Sequence, residues 1–372
     1  MPARHIARDR WAQAKNLAIV LLDKKFMGVN VMKLTKCKVI ESKVLSFACI
    51  ILLLSICMPV LACPKTHIQN GNVVYDFTFA ELTVKYFETG DEKYIEKIAE
   101  TDAAQHIYGF AKEFSHDVFD YGYPLNSSFD FCKALLTPFE AKKESLSQFL
   151  DNLEYARKKI AAYDIPRQIS RNYLPEDFEF RKPTYLFFTF GFDMGVAYNG
   201  NASLNLAHPH FLQYKEEIRY YSIHELHHAG YLQATNDNIP ALDFKIYSDV
   251  SSFIELFTHL EGMATYSPLR LRMVEEQMDS DEDYVALQDS VLMNQLENEF
   301  FDIYYHFKDS PGKAFSDDDW EILFQLSQKR YFYRVGAMMA KIIDDKLGRK
   351  TLVDLINEPP IEFFNTYMEL IK

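Results

Sequence analysis

Cysteine is almost missing from the body of this 372-residue chain. Four of the five, Cys37, Cys49, Cys57 and Cys63, sit at or before residue 63, which leaves Cys132 alone in everything that follows. A disulfide framework is therefore excluded for the body, and so is a metal site built on clustered thiolates. Positive charge is the second shortage. Residues 1–62 hold ten of the 40 basic and three of the 53 acidic residues, so the remainder carries 30 against 50, a net charge of −20 with histidine neutral. An acidic surface of that size repels phosphate backbones and argues against nucleic acid as a partner. What is present, 48% hydrophobic and 15% aromatic residues, is ample for a large core and far from a disordered composition.

One apolar run stands out, Lys43 to Cys63 (KVLSFACIILLLSICMPVLAC), preceded by Lys33, Lys36 and Lys38. It reads as a secretion signal rather than a spanning helix. The apolar part is short, Pro59 interrupts its end, and Val60-Leu61-Ala62 offers a small-residue cleavage site. Cys63, directly after it, resembles the cysteine of a bacterial lipobox. The expectation is an exported protein, in the cell envelope or secreted, with lipidation of Cys63, plain cleavage and a retained N-terminal anchor as the alternatives. Met27 and Met32 are alternative starts.

The body is organised around Tyr220 to Tyr231, YYSIHELHHAGY, in which His224, Glu225 and His228 form an HExxH pattern. On a helix, residues four apart share a face with Cβ atoms roughly 5–6 Å apart, so His224 and His228 can address one zinc ion. Glu225, one residue further round, can reach a water at that ion and take its proton. A helix with three histidines and no metal is the plain alternative.

Zinc in a catalytic site needs a third protein ligand, and Phe253 to Tyr266 (FIELFTHLEGMATY) offers Glu255, His259 and Glu261. Helical periodicity sets Glu261 on the apolar face with Ile254, Phe257, Thr258 and Ala264, and Glu255 on a polar face with Ser251, Ser252 and His259. A carboxylate on a buried face costs several kcal/mol unless it is paired or metal-bound, so Glu261 is the expected ligand. Gly262 and Ala264 lack bulk, which would let this helix approach the HExxH helix.

HELHH at 224–228, followed by EGMATY at 261–266, resembles the gluzincin zinc metallopeptidases, in the branch whose glutamate ligand sits in an EGxA motif. The resemblance implies a zincin-like fold, one zinc ion held by His224, His228 and Glu261, and Glu225 as general base. The chain lacks the GxMEN stretch of the aminopeptidase branch, which speaks against that assignment.

The remaining expectations concern the scaffold. Residues 63–180 read as a helical N-terminal part and 181–372 as the metallopeptidase core. Phe77 to about Asp117 reads as two helices and Pro138 to Ala162 as a long amphipathic one. Tyr185 to Phe192, then Met194 to Tyr198 and Ala202 to Ala207 around Asn199-Gly200-Asn201, predict a small, mostly antiparallel sheet whose edge could hold an extended peptide. Phe211 to Gly230 reads as the HExxH helix with Gly230 as C-cap. Met273 to Lys308 and Asp317 to Leu347 read as single long helices, the acidic run Glu275 to Asp283 being a solvated face. Tyr333 lies on one face with Gly336, Ala337 and Ala340, and is either a core aromatic or the group that stabilises an oxyanion. The fold class is mainly helical α+β, with a helical C-terminal half. The expected reaction is hydrolysis of a peptide bond in a peptide or protein substrate, with hydrolysis of another amide or ester, or an inactive binding protein on the same scaffold, as alternatives.

Overall fold

The computed structural model describes residues 66–114, 122–137, 143–236 and 242–372. The expected export signal, Cys63 and the expected Pro138 start of the long helix lie outside the described residues. The described body is mainly helical with one small sheet, and no helix in it is long and apolar enough to cross a membrane.

Five strands, β1 (His67–Asn70), β2 (Val73–Asp76), β3 (Thr184–Thr189), β4 (Gly195–Tyr198) and β5 (Asn201–Asn205), form a sheet in the order β1-β2-β3-β5-β4. The sheet is mixed, which corrects the expectation of a mostly antiparallel one. The β1/β2 and β4/β5 pairs are antiparallel, whereas β2/β3 and β3/β5 are parallel. The cause lies in where β5 goes. The β4–β5 hairpin closes as expected at Asn199-Gly200, with φ of 51° and 70°, the two positive values a tight primed turn needs. β5 then inserts between β3 and β4, so it runs parallel to β3 and pushes β4 to the edge. The β1–β2 hairpin was not expected at all. It turns at Gly71, φ 58°, and β2 is buried at all four positions, so no polar alternation marks it as a strand.

Four helices bear on the site: α1 (Asp102–Phe114), α2 (Glu217–Thr235), α3 (Tyr247–Tyr266) and α4 (Tyr331–Leu347). The segment expected to hold two helices holds three, Thr78–Thr89, Lys93–Ala99 and α1. The sheet separates α1 from α2. Val196 and Tyr198 face α1, where the His106 ring reaches the Val196 carbonyl at 3.3 Å and Tyr198 packs on Phe110 and Phe114. Gly195, on the alternate face, meets α2.

Helix α2 is the central element, with 15 of its 19 residues buried. It is shifted relative to its expected span. A short helix, Pro209–Gln213, precedes it, and it runs through Gly230 to a C-cap at Asn236, φ 54°. Gly230 is a packing glycine instead of a cap: a Cβ there would collide with the Leu174 side chain and press on Phe180 at 3.1 Å. His227 points away from its neighbours, fully buried, with Nε2 3.0 Å from the Tyr173 carbonyl.

Helices α3 and α4 cross in direct backbone contact. A Cβ on Gly262 would lie 2.5 Å from Gly336 Cα, and one on Gly336 would lie 2.7 Å from Gly262 Cα. Gly262 therefore serves the approach of α4, and not, as the sequence suggested, that of the HExxH helix. This crossing brings Glu261 and Tyr333, each within three residues of a contact glycine, toward the same place.

The C-terminal half is more broken than its periodicity implies. Leu269–Val274, Glu282–Leu287 and Ser290–Lys308 replace one expected helix, with Asp281 and Asp289 capping the second and third through backbone N–H groups. The segment 317–347 splits into Asp319–Gln328 and α4 at Arg330, φ 53°. The acidic run is not simply solvated: Asp281 and Asp283 are buried, and Asp283 holds Arg330 at 2.7 Å and Arg334 at 2.8 Å.

Candidate metal centre

One turn of α2 carries His224 and His228, and α3 carries Glu261 across from them. Their ligand atoms converge: His224 Nε2 and His228 Nε2 are 2.9 Å apart, with Glu261 Oε2 3.1 Å from the latter and 3.4 Å from the former. Three electron-pair donors facing one another at such distances repel unless protons or a cation lie between them. The donor set suits zinc, since bonds of ~2.0–2.1 Å in a tetrahedron put neighbouring ligand atoms about 3.3 Å apart. The two imidazoles are perpendicular, centroids 4.5 Å apart, and His228 Nδ1 is buried without a hydrogen-bond partner among the described residues, so its polar contacts are those of Nε2.

Electrostatics agree with the geometry. Burial pushes the His224 imidazole down, His228 adds to this, and the Glu261 carboxylate only partly offsets it. Burial also opposes charge on His228, but Glu261 outweighs it and its pKa rises. For Glu261 itself, burial raises the pKa, yet the two imidazoles win and hold it well below the usual carboxylate range. The three groups thus form a cluster already biased toward one carboxylate and one added positive charge.

Glu255, the competing carboxylate, is buried whereas Glu261 is only half-buried, which corrects the expectation that burial would single out Glu261. What distinguishes them is company. Glu255 accepts hydrogen bonds from the Tyr304 hydroxyl and the Lys308 ammonium, both at 2.7 Å. His259 is fully buried and turned to the Tyr231 hydroxyl, 3.0 Å from Nδ1. Only Glu261 is brought to the two α2 histidines.

A second acidic group, His210, Glu217 and Asp281, has similar ligand spacing. It already holds its cation. The Arg272 guanidinium, 1% exposed, donates to both Glu217 oxygens at 2.7 and 2.5 Å and is sandwiched between the Tyr220 and Tyr284 rings.

Glu225 sits beside the three-atom cluster with its carboxylate laid against β4. A Cβ on Gly195 would stand 2.6 Å from Glu225 Cδ, so only glycine leaves room for this side chain. Burial lifts its carboxyl to about 8, with His228 pulling it down and Glu261 and Asp193 pushing it up. A divalent cation at the cluster acts in the opposite direction and favours the carboxylate. The chain enters β4 through a turn with Gly191 at φ 78° and Phe192 at φ 69°, an uncommon conformation for a phenylalanine. Tyr333, in the first turn of α4, is half-buried and stacks on His224 with 11° between ring planes and centroids 6.1 Å apart. The Arg330 guanidinium also lies over the Tyr333 ring, 3.8 Å from its centroid. Burial and then Glu261 raise its hydroxyl pKa, which keeps it a proton donor.

Sequence reasoning did not find Gly195 or Arg330. Neither belongs to a motif, and each is recognised only through what lies against it.

A protein-family model described as "Putative zinc dependent peptidase (DUF5700)" matches residues 92–372. The chain belongs to that family. In this zinc peptidase family member the match covers α1 to α4 and therefore His224, Glu225, His228, Glu261 and Tyr333. No curated protein and no solved structure matches the chain.

Proposed function

We propose that this chain is a zincin-like metallopeptidase of the gluzincin type, with one zinc ion per chain held by His224, His228 and Glu261 and with Glu225 as general base. The observation that carries the reading is the convergence of the three ligand atoms within 3.4 Å of one another. A zinc ion bound by these residues supplies Lewis acidity, polarising a substrate carbonyl and making water easier to deprotonate. Glu225, held by Gly195 and adjacent to the ligands, takes the water proton and returns it to the leaving amine. The hydroxyl of Tyr333, whose ring packs against His224 and Arg330, donates to the oxyanion that forms on the attacked carbonyl.

A peptide suits the surroundings. Among the described residues strand β4 is one edge of the sheet, and its pairing with β5 leaves the N–H and C=O groups of Gly195 and Ala197 turned outward, since Met194 opposite Asn205 and Val196 opposite Ser203 take the bonded positions. An extended substrate can add to this edge and pass Glu225 as it does so. Metal analysis of the purified protein tests the reading at its base: about one zinc per chain is expected, and none above background in His224→Ala or His228→Ala. Export through the segment ending at Ala62 belongs to the same proposal, and intact-mass analysis from the native host checks it.

The contact between Gly195 and Glu225 gives a second expected result. In Gly195→Ala the added methyl displaces the Glu225 carboxylate, and a misplacement of ~1 Å costs about 10²-fold in kcat. Zinc content stays at the wild-type level because no ligand is touched. If metal and turnover are both unchanged, the base is not held by this strand.

A further inference from the structure

The open edge of β4 does not end at Gly195. Two residues on it meets a cavity of about 230 Å³ whose lining includes Glu113 of α1, Arg181, Ala197 and Tyr198 of the strand, and Leu232 and Gln233 of α2. The walls come from helices on opposite faces of the sheet, with the edge strand between them, so the cavity opens along the path of a strand added to β4. Leu232 and Ala197 are buried and form an apolar floor, while Glu113 and Arg181 are exposed at the rim. The Arg181 guanidinium donates to Asn236 Oδ1 at 3.1 Å and makes no ion pair among the described residues. Glu113 accepts from the Tyr198 hydroxyl at 2.5 Å and likewise has no cationic partner among them.

From these observations we infer that this cavity is a subsite for a long, neutral, hydrogen-bonding side chain of an extended peptide, glutamine above all. This rests on the peptidase reading above. At ~3.4 Å per residue, the side chain it receives belongs to a residue about two or three positions from the one beside Glu225. The opposite rim charges set the preference. A carboxylate gains Arg181 but meets Glu113, an ammonium gains Glu113 but meets Arg181, and a carboxamide offers an acceptor to one and donors to the other. Its methylene stem covers the Leu232 floor.

The test is binding, measured by fluorescence anisotropy on zinc-loaded Glu225→Gln protein with labelled, end-blocked peptides that differ at one position at a time between Gln, Glu, Lys and Ala. Glutamine is expected to bind tightest at a single position. Adding Glu113→Gln should then improve the Glu peptide about two- to fivefold relative to the Lys peptide, and Arg181→Gln should do the reverse, the size of one partly exposed charge pair. Both residues lie at the rim, and thermal melting verifies that the variants fold. Rankings unmoved by either substitution, or no peptide binding at all, overturn the subsite. If wild-type protein cleaves nothing while the rankings shift as stated, the hydrolytic reading falls and the subsite stands; if wild type cleaves and the rankings do not shift, the subsite alone falls.

Discussion

Zinc bound to the purified protein should fall steeply in Glu261→Ala and stay near one per chain in Glu255→Ala. Both glutamates are on α3 and both are close to the core, but they differ in what they face. Glu261 Oε2 stands 3.1 and 3.4 Å from two imidazole nitrogens and has no hydroxyl or ammonium partner among the described residues. Its removal leaves two ligands, too few for a stable protein zinc site, and since loss of even a supporting contact weakens metal sites about 10- to 100-fold, the loss of a direct ligand should exceed that. Glu255 is bound to Tyr304 and Lys308 instead. Its alanine variant leaves a tyrosine hydroxyl unpaired and frees a lysine that is 40% exposed and can re-solvate. A lowered melting temperature with the metal retained is the expected signature. Calorimetric zinc titration and thermal melting of both variants separate the two effects, and the reverse pattern would move the third ligand to Glu255.

Glu225→Gln should leave zinc content and melting temperature near wild type while peptide hydrolysis drops by about 10² to 10⁴, the usual worth of a positioned general base. Glutamine keeps the shape that fits against Gly195, so the α2–β4 contact survives. What it loses is the basic oxygen. Steady-state kinetics beside metal analysis make the comparison, and activity equal to wild type would remove Glu225 from the mechanism.

These two residues also show how much the sequence disclosed. HExxH is legible because its geometry is local: a helix alone places His224 and His228 on one face. Glu261 was reached through the periodicity of α3, and the structure brings it to the histidines, yet the reasoning was incomplete. Periodicity separated an apolar from a polar face, whereas α3 buries Glu255 and His259 and leaves Glu261 half-buried. The decision between the glutamates lies in partners contributed by the Ser290–Lys308 helix, which no local pattern reveals. Tyr333 had a sequence signal only in the small residues behind it, and its position beside His224 follows from the Gly262–Gly336 crossing.

The sheet was legible in its turns and not in its topology. Asn199-Gly200 specified one hairpin, and Gly71-Asn72, with glycine at the first loop position, is a different tight-turn signal for the other. Parallel pairing of β3 with β2 and β5 depends on which strand inserts where, a matter of tertiary packing that buries β2 and most of β5 and erases their alternation. Gly195 follows from that insertion.

The central claim is that this constellation hydrolyses peptide bonds with zinc. Its most direct test incubates the zinc-loaded protein with a proteome-derived peptide library and identifies the new termini by mass spectrometry. The account predicts defined cleavage sites that disappear on chelation, return when zinc is restored and are absent with the Glu225→Gln protein. Full zinc occupancy with no cleavage anywhere in the library, or cleavage that survives both chelation and Glu225→Gln, would contradict it.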